Sequence, residues 1–160
     1  VRMNRGLAWA SLLLLCAALA ACSSGPVRRV SPPAASIQQL TVNADGSWSV
    51  DLRLQNYSSI PMQFTSATLA ITVSDQAAGT LQGAPQISIG PESADVVTLP
   101  FKPTVEARIV VADALAGRRS LGYVLQGTLD AVPEEGKSRT FDIKTNNTLN
   151  PVPGLDGVLR

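Results

Sequence analysis

The chain has 160 residues, 13 basic and 12 acidic side chains, no histidine and two cysteines. Such a balanced charge offers no electrostatic footprint for nucleic acid, whose phosphates call for a basic patch. Without histidine there are no Ser–His or Cys–His nucleophilic pairs and none of the usual zinc ligand sets.

Taken in order, the first element is an export signal over residues 1–21. Arg2 and Arg5 make a short positive region, an apolar run from Leu7 to Leu19 is broken only by Ser11, and Ala20 and Ala21 lead to Cys22. That is the three-part layout of a secretory signal peptide. The apolar run falls short of the roughly 20 residues a membrane-spanning helix needs. Leu19-Ala20-Ala21-Cys22 resembles the bacterial lipobox. The resemblance implies that a signal peptidase recognises Leu19, Ala20 and Ala21 and cuts before Cys22. It also implies that the Cys22 thiol carries a diacylglycerol and that the new amine is acylated. Two or more acyl chains hold a protein stably on a bilayer, where one does so only marginally. Ser23 stands where aspartate usually signals inner-membrane retention in double-membrane cells. The expected address is therefore the outer membrane, lipid-anchored and facing the periplasm.

Loss of the signal removes Arg2 and Arg5 and leaves 11 basic against 12 acidic side chains. Cys16 departs with the signal and Cys22 is consumed by lipid, so no disulfide can form downstream. Stability must come from the core, which a domain of about 120–140 residues can supply by burying roughly two-thirds of its unfolded surface. Residues 22–36 read as the lipidated cysteine and a flexible linker, rich in small, polar and proline residues. At about 3 Å per residue the linker would reach some 40 Å from the lipid. Arg28 and Arg29 read as a solvated linker pair.

A single domain is expected over 37–148. Leu40 and Val42 alternate with polar neighbours, and Asp45-Gly46 marks a turn. Trp48, Val50, Leu52 and Leu54 alternate without error with Ser49, Asp51, Arg53 and Gln55, a half-buried strand. Residues 56–61 break it. Ala67, Leu69, Ile71 and Val73 make another such run. Gly79, Gly83 and Pro85 read as an interruption, Ile87 and Ile89 as a short strand, and Gly90-Pro91-Glu92 as a turn. A strand comes next over 94–101, with Val97, Leu99 and Phe101 on one face and Pro100 marking an edge or a strand end.

Residues 104–116 change period. Val105, Ile109, Ala112 and Ala116 recur at helical spacing, Thr104 can cap the start and Gly117 can close the end in a left-handed conformation. Glu106 in the first turn and Arg118-Arg119 beyond the last suit the helix dipole. The β-branched Ile109-Val110-Val111 also suits a strand over 108–112, and the capping residues favour the helix. Leu121, Tyr123, Leu125, Gly127 and Leu129 then alternate, residues 133–137 turn, and Phe141 and Ile143 open a last strand.

About seven short strands joined by Gly/Pro turns, with one accessory helix, point to an all-β, antiparallel β-sandwich of the fibronectin-III/immunoglobulin type. One-sided alternation argues against a parallel sheet. Residues 149–160 read as a Pro/Gly-rich tail that either covers a sandwich edge or docks a partner. Trp48 sits in the apolar register of its strand, which favours core filling over sugar or partner binding.

No phosphate loop, metalloprotease helix or calcium loop is present in the sequence. Catalysis by carboxylates alone would need two acids brought together by the fold. Asp45, Glu92, Glu134 and Glu135 fall in turns, and Asp51, Asp130 and Asp142 on polar strand faces, where solvation accounts for them. The expectation is no enzyme, no catalytic residue, no cofactor, no metal and no small-molecule substrate. Asn56-Tyr57-Ser58 and Asn146-Asn147-Thr148 match glycosylation acceptors, a coincidence in a bacterial lipoprotein.

The series running from Leu52 through Pro61-Met62, the Ile89-Gly90-Pro91 turn, the strand Val97 to Phe101, a helix, and the strand Leu121 to Gly127 resembles the WHy (water stress and hypersensitive response) domain of type 2 late-embryogenesis-abundant proteins. Members have Asn-Pro-Asn where this chain has Asn56-Tyr57-Ser58, and a Leu-Pro step matched here by Ile60-Pro61. Their Tyr-x-x-x-Gly element corresponds to Tyr123 and Gly127. The resemblance implies a fibronectin-III-like sandwich with one helix, no catalytic site, and a role in desiccation or envelope stress. The expected function is that of a membrane-anchored, protective periplasmic lipoprotein. The alternative is an interaction module that docks an envelope protein through a strand edge or the tail.

Overall fold

The structure, a computed structural model, describes residue 25 and residues 27–160. The signal segment and its recognition residues Leu19, Ala20 and Ala21, together with Cys22, lie outside the described residues. The described residues form nine strands and one helix: β1 (Ala34–Val42), β2 (Trp48–Gln55), β3 (Met62–Val73), β4 (Gln76–Gly83), β5 (Ile87–Ile89), β6 (Ala94–Phe101), α1 (Val105–Ala116), β7 (Leu121–Pro133), β8 (Arg139–Leu149) and β9 (Val158–Leu159).

The strands form two antiparallel sheets. A four-stranded sheet has the order β6-β2-β1-β9, and a five-stranded sheet the order β4-β3-β7-β8 with β5 beside the start of β3. The inward residues of both sheets meet in one core. Leu40, Trp48, Val50, Leu52 and Leu54 face Phe64, Leu69, Ile71, Leu125 and Leu129, all of them buried. Each large aliphatic side chain removed from water in this way contributes about 1.5–3 kcal/mol. Trp48 fills the core next to Phe101, with ring centroids 5.7 Å apart at 46°. Pro100 lies on the edge strand β6, opposite Ser49 of β2, where its missing N–H costs no ladder bond.

The two-sheet antiparallel sandwich agrees with the fold expected from the alternation, but the count of about seven strands is corrected. The main omission is β4. Only Ala78 and Leu81 are buried along it, and its glycines imitate a loop. Gly79 (φ +126°) sits at a register shift in the β3–β4 pairing, so it marks a bulge within a strand.

Both ends of the domain also differ from expectation. β1 starts at Ala34, inside the stretch 22–36 read as linker. The tail is not wholly irregular: Leu149 ends β8, and Val158–Leu159 add a short strand along β1, with Leu159 fully buried. Pro151 bridges back to Leu159, which makes the tail a self-pairing strap on the sheet edge.

The helix forms where expected, and Thr104 Oγ1 accepts from Ala107 N–H at its start. Its orientation is the reverse of the expectation. Ala107, Val111 and Ala114 are buried against the sheet, while Val105 and Ile109 are 55% and 64% exposed. The helix carries two apolar stripes, so periodicity alone cannot choose between them. The alanine-rich stripe lets the helix backbone approach β4 closely, and that packing decides. Gly117 is right-handed (φ −83°), and the left-handed residue is Arg118 (φ 49°), one position later.

Candidate functional site at the tether pole

The ladder registers define two poles. Ala34 lies opposite Gln55, Gln55 opposite Ala94, and Met62 opposite both Ile89 and Pro133. Residues 27–33, 56–61, 90–93 and 134–138 therefore converge at one end, where the chain enters the domain. The other end gathers the turn 43–47, the helix α1 and the tail.

The centre of the tether pole is Asn56. It is fully buried, and its amide nitrogen donates toward three backbone carbonyls: Ile60 at 2.9 Å, Ile89 at 3.0 Å and Gly90 at 2.9 Å. Its side-chain oxygen accepts from Ser58 N–H at 2.8 Å. One side chain thus joins the end of β2, the approach to β3 and the turn after β5. The main chain reinforces the knot, with Asn56 N–H donating to Ser93 O and Glu92 N–H to Ser58 O. Backbone polar groups at strand ends must find partners or lose stability, and Asn56 supplies them where the ladders stop.

Ser58 and Ser59 then hold the incoming chain. The buried Ser58 hydroxyl accepts from Ser31 N–H at 2.9 Å and lies 3.2 Å from Ser31 O and 3.0 Å from Met62 Sδ, one of which takes its proton. Ser59 Oγ accepts from Arg29 N–H at 2.7 Å and donates to Val27 O at 2.6 Å, while Ser59 N–H donates to Arg29 O. Arg28 pairs with Glu135, and Arg29 lies 3.7 Å from Glu92. Arg28 and Arg29 are solvated as expected, but the reading of them as linker is corrected, because the chain is held here by Ser59, Glu135 and Glu92. Both ion pairs are well exposed, so each contributes at most about 1 kcal/mol, and the serine and backbone bonds are the stronger part of the clasp.

The clasp thus holds the chain from Val27 onward, inside the stretch 22–36 read as a flexible linker.

A second cross-link is Tyr123, buried between the sheets. Ile37 N–H donates to its hydroxyl at 3.0 Å, and the hydroxyl lies 3.4 Å from Ile37 O. Burial raises its pKa, against the opposing pull of the bonds to Ile37 and Asn147. Four residues on, Gly127 lies opposite Leu69 in the antiparallel ladder of β7 and β3. A Cβ there would lie 2.0 Å from Thr68 O and 3.0 Å from Leu69 Cα. The Tyr-x-x-x-Gly element is thus a structural pair: one member ties the sheets together, and the other leaves room for backbone.

The remaining ionisable groups are solvated. Asp130 is held below its ordinary value of 3.8 by hydrogen bonds from the Ser66 and Thr140 hydroxyls, and Asp45 by the Ser47 hydroxyl and N–H. Among the described residues no group of three or more acids, cysteines or histidines is placed to hold a metal. A shallow cleft of about 410 Å³ lies between the end of α1 and the tail, lined by Leu115, Arg118, Val152, Leu155 and Asp156 among others. It brings one carboxylate to its wall, where carboxylate catalysis needs two.

The role of Asn56 was missed by sequence reasoning. The signal was present: an Asn with Ser two residues later is the pattern of an Asx-turn, whose oxygen accepts the second N–H along the chain.

The architecture is that of an antiparallel two-sheet sandwich in which the buried polar side chains Asn56, Ser58 and Tyr123 hold strand ends and sheets together. No protein-family model matches the sequence, and no curated protein matches it significantly. Solved structures share its fold. One is the solution structure of a proposed late embryogenesis abundant (LEA) protein, At2g46140.1, at TM-score 0.50 and 13% identity, covering 94% of this chain and 87% of that one. Another is the solution structure of AT1g01470 from Arabidopsis thaliana, at TM-score 0.50 and 12% identity, covering 85% of this chain and 91% of that one. The chain has an LEA-like sandwich fold.

Proposed function

We propose that this protein is a lipid-anchored, non-enzymatic envelope protein that protects its surroundings during desiccation or envelope stress. The observation that carries the protective role is the fold shared with a proposed LEA protein over 94% of the chain. The anchoring rests on the sequence, where Leu19-Ala20-Ala21-Cys22 ends an export signal and Ser23 leaves the outer-membrane, periplasm-facing route open. With Cys22 lipidated, the clasp beginning at Val27 would leave five residue steps, at most about 18 Å, and so would hold the domain at the membrane surface. The absence of an enzymatic role is supported by the way Asn56, Ser58 and Tyr123 spend their hydrogen bonds on backbone groups.

Two measurements test the two halves separately. Membrane fractionation of a Cys22→Ser variant tests anchoring. It should move the protein from the membrane pellet to the soluble fraction with its melting temperature unchanged; continued pelleting refutes the anchor. Drying a labile enzyme with and without the purified protein tests protection. Equal losses of activity, at matched mass of an inert control protein, refute it.

A further inference from the structure

We propose that β8 is a self-pairing edge, through which two copies of this chain join their five-stranded sheets in antiparallel register about a two-fold axis at Ile143. This goes beyond the protective reading and does not depend on it.

The first observation is that β8 is a sheet edge whose backbone has one ladder partner, although its inner side meets β1, where the Thr145 hydroxyl donates to Ala35 O at 2.7 Å. It pairs with β7 alone, over eleven consecutive positions with no register shift, and it contains neither proline nor glycine. The other edges are interrupted. β6 carries Pro100, β4 has a bulge and two glycines, and the four-stranded sheet is closed on its far side by the two-residue β9. Uninterrupted edges expose a row of backbone donors and acceptors ready to pair with another strand.

The second observation is the charge pattern, which is self-complementary. Asp142 and Lys144 are exposed on the outer face of β8, on either side of Ile143, and neither has an ion-pair partner among the described residues. When the strand meets its own copy with Ile143 on the axis, Asp142 faces Lys144 of the other copy, and Lys144 faces its Asp142. Thr140 then faces Asn146, and the half-buried Phe141 faces Thr145. Moving the axis to Asp142 sets Asp against Asp; moving it to Lys144 sets Lys against Lys. Directly opposed unlike charges stabilise an antiparallel pair and like charges destabilise it, so the pattern selects one register. A two-fold interface counts each pair twice.

Antiparallel pairing places the two tether poles at opposite ends of one continuous sheet. Two copies anchored in the same membrane would lie with their strands along its surface.

The test is sedimentation velocity on the full chain in a density-matched non-ionic detergent, from low micromolar to near-millimolar protein. The wild type should show a concentration-dependent monomer–dimer equilibrium. D142K and K144D should each raise its dissociation constant about tenfold or more, because two attractive pairs become two repulsive ones. The double reversal D142K/K144D should restore the wild-type constant, and an equimolar mixture of the two single variants should form the heterodimer. Circular dichroism melts confirm that the exposed substitutions leave the fold intact. A wild type that stays monomeric throughout overturns the proposal. So does a dimer indifferent to the single reversals, and so do single variants that neither the double reversal nor mixing rescues.

Discussion

Replacing Asn56 with alanine should cost about 3–7 kcal/mol of stability, a large part of the about 5–15 kcal/mol a domain of this size possesses. The figure comes from the four partners its side chain meets, three carbonyls that share its two N–H protons and the Ser58 N–H. The bonds to Ile89 O and from Ser58 N–H are fully buried. Each orphaned partner loses about 1–3 kcal/mol, because no water replaces the amide. The bonds to Ile60 O and Gly90 O are only partly buried. Water can recover much of those, leaving about 0.5 kcal/mol each. Urea unfolding monitored by Trp48 fluorescence would measure the loss as a fall in midpoint at unchanged slope. Asn56→Asp sharpens the test. A carboxyl facing three carbonyl oxygens must stay protonated to donate, so its folded pKa is raised above the unfolded value near 3.9. The penalty is therefore smallest below about pH 3.9, grows as the pH rises toward the folded pKa, and is constant above it. A loss below about 1 kcal/mol for Asn56→Ala, no larger than for an exposed hydroxyl, would refute the claim that this side chain ties the pole together.

Gly127→Ala should destabilise by about 2–4 kcal/mol, since its Cβ would meet the backbone of Thr68 at 2.0 Å and force β3 and β7 apart; a thermal melt unchanged from wild type would show that the strands separate freely. Tyr123→Phe should cost about 1–3 kcal/mol by leaving Ile37 N–H buried without its partner, with faster hydrogen exchange at Ile37 as the local signature. Asp130→Asn should lower stability at neutral pH. Because the Ser66 and Thr140 hydroxyls hold the Asp130 pKa below 3.8, their contribution is present above that value and disappears as the pH falls through the folded pKa. Urea midpoints for wild type and variant should therefore differ at pH 7 and converge near pH 2; a gap that persists at low pH would point to packing instead.

The sequence by itself determined the alternating strands. Trp48 to Gln55 shows period two without error, and Leu121 to Leu129 shows it apart from Val124 and Gly127, because each has one face in the core and the other toward water. It also determined the Thr104 cap, since capping depends on residue type and immediate neighbours. What only the tertiary structure decided are matters of distance between segments far apart in the chain. Which stripe of α1 is buried depends on how closely Ala107 and Ala114 can approach β4. Whether Gly79 breaks a strand or bulges it depends on the neighbour across the ladder. Asn56 reads in sequence as a loop residue, and becomes the hub of the tether pole only when Ile60, Ile89 and Gly90 bring their carbonyls to it. Arg28 and Arg29 read as free linker residues until the fold brings Glu135 and Glu92 beside them, where they remain solvated. Local periodicity reports which face is apolar, and it carries no information about which distant backbone groups that face, or a polar side chain beside it, will meet.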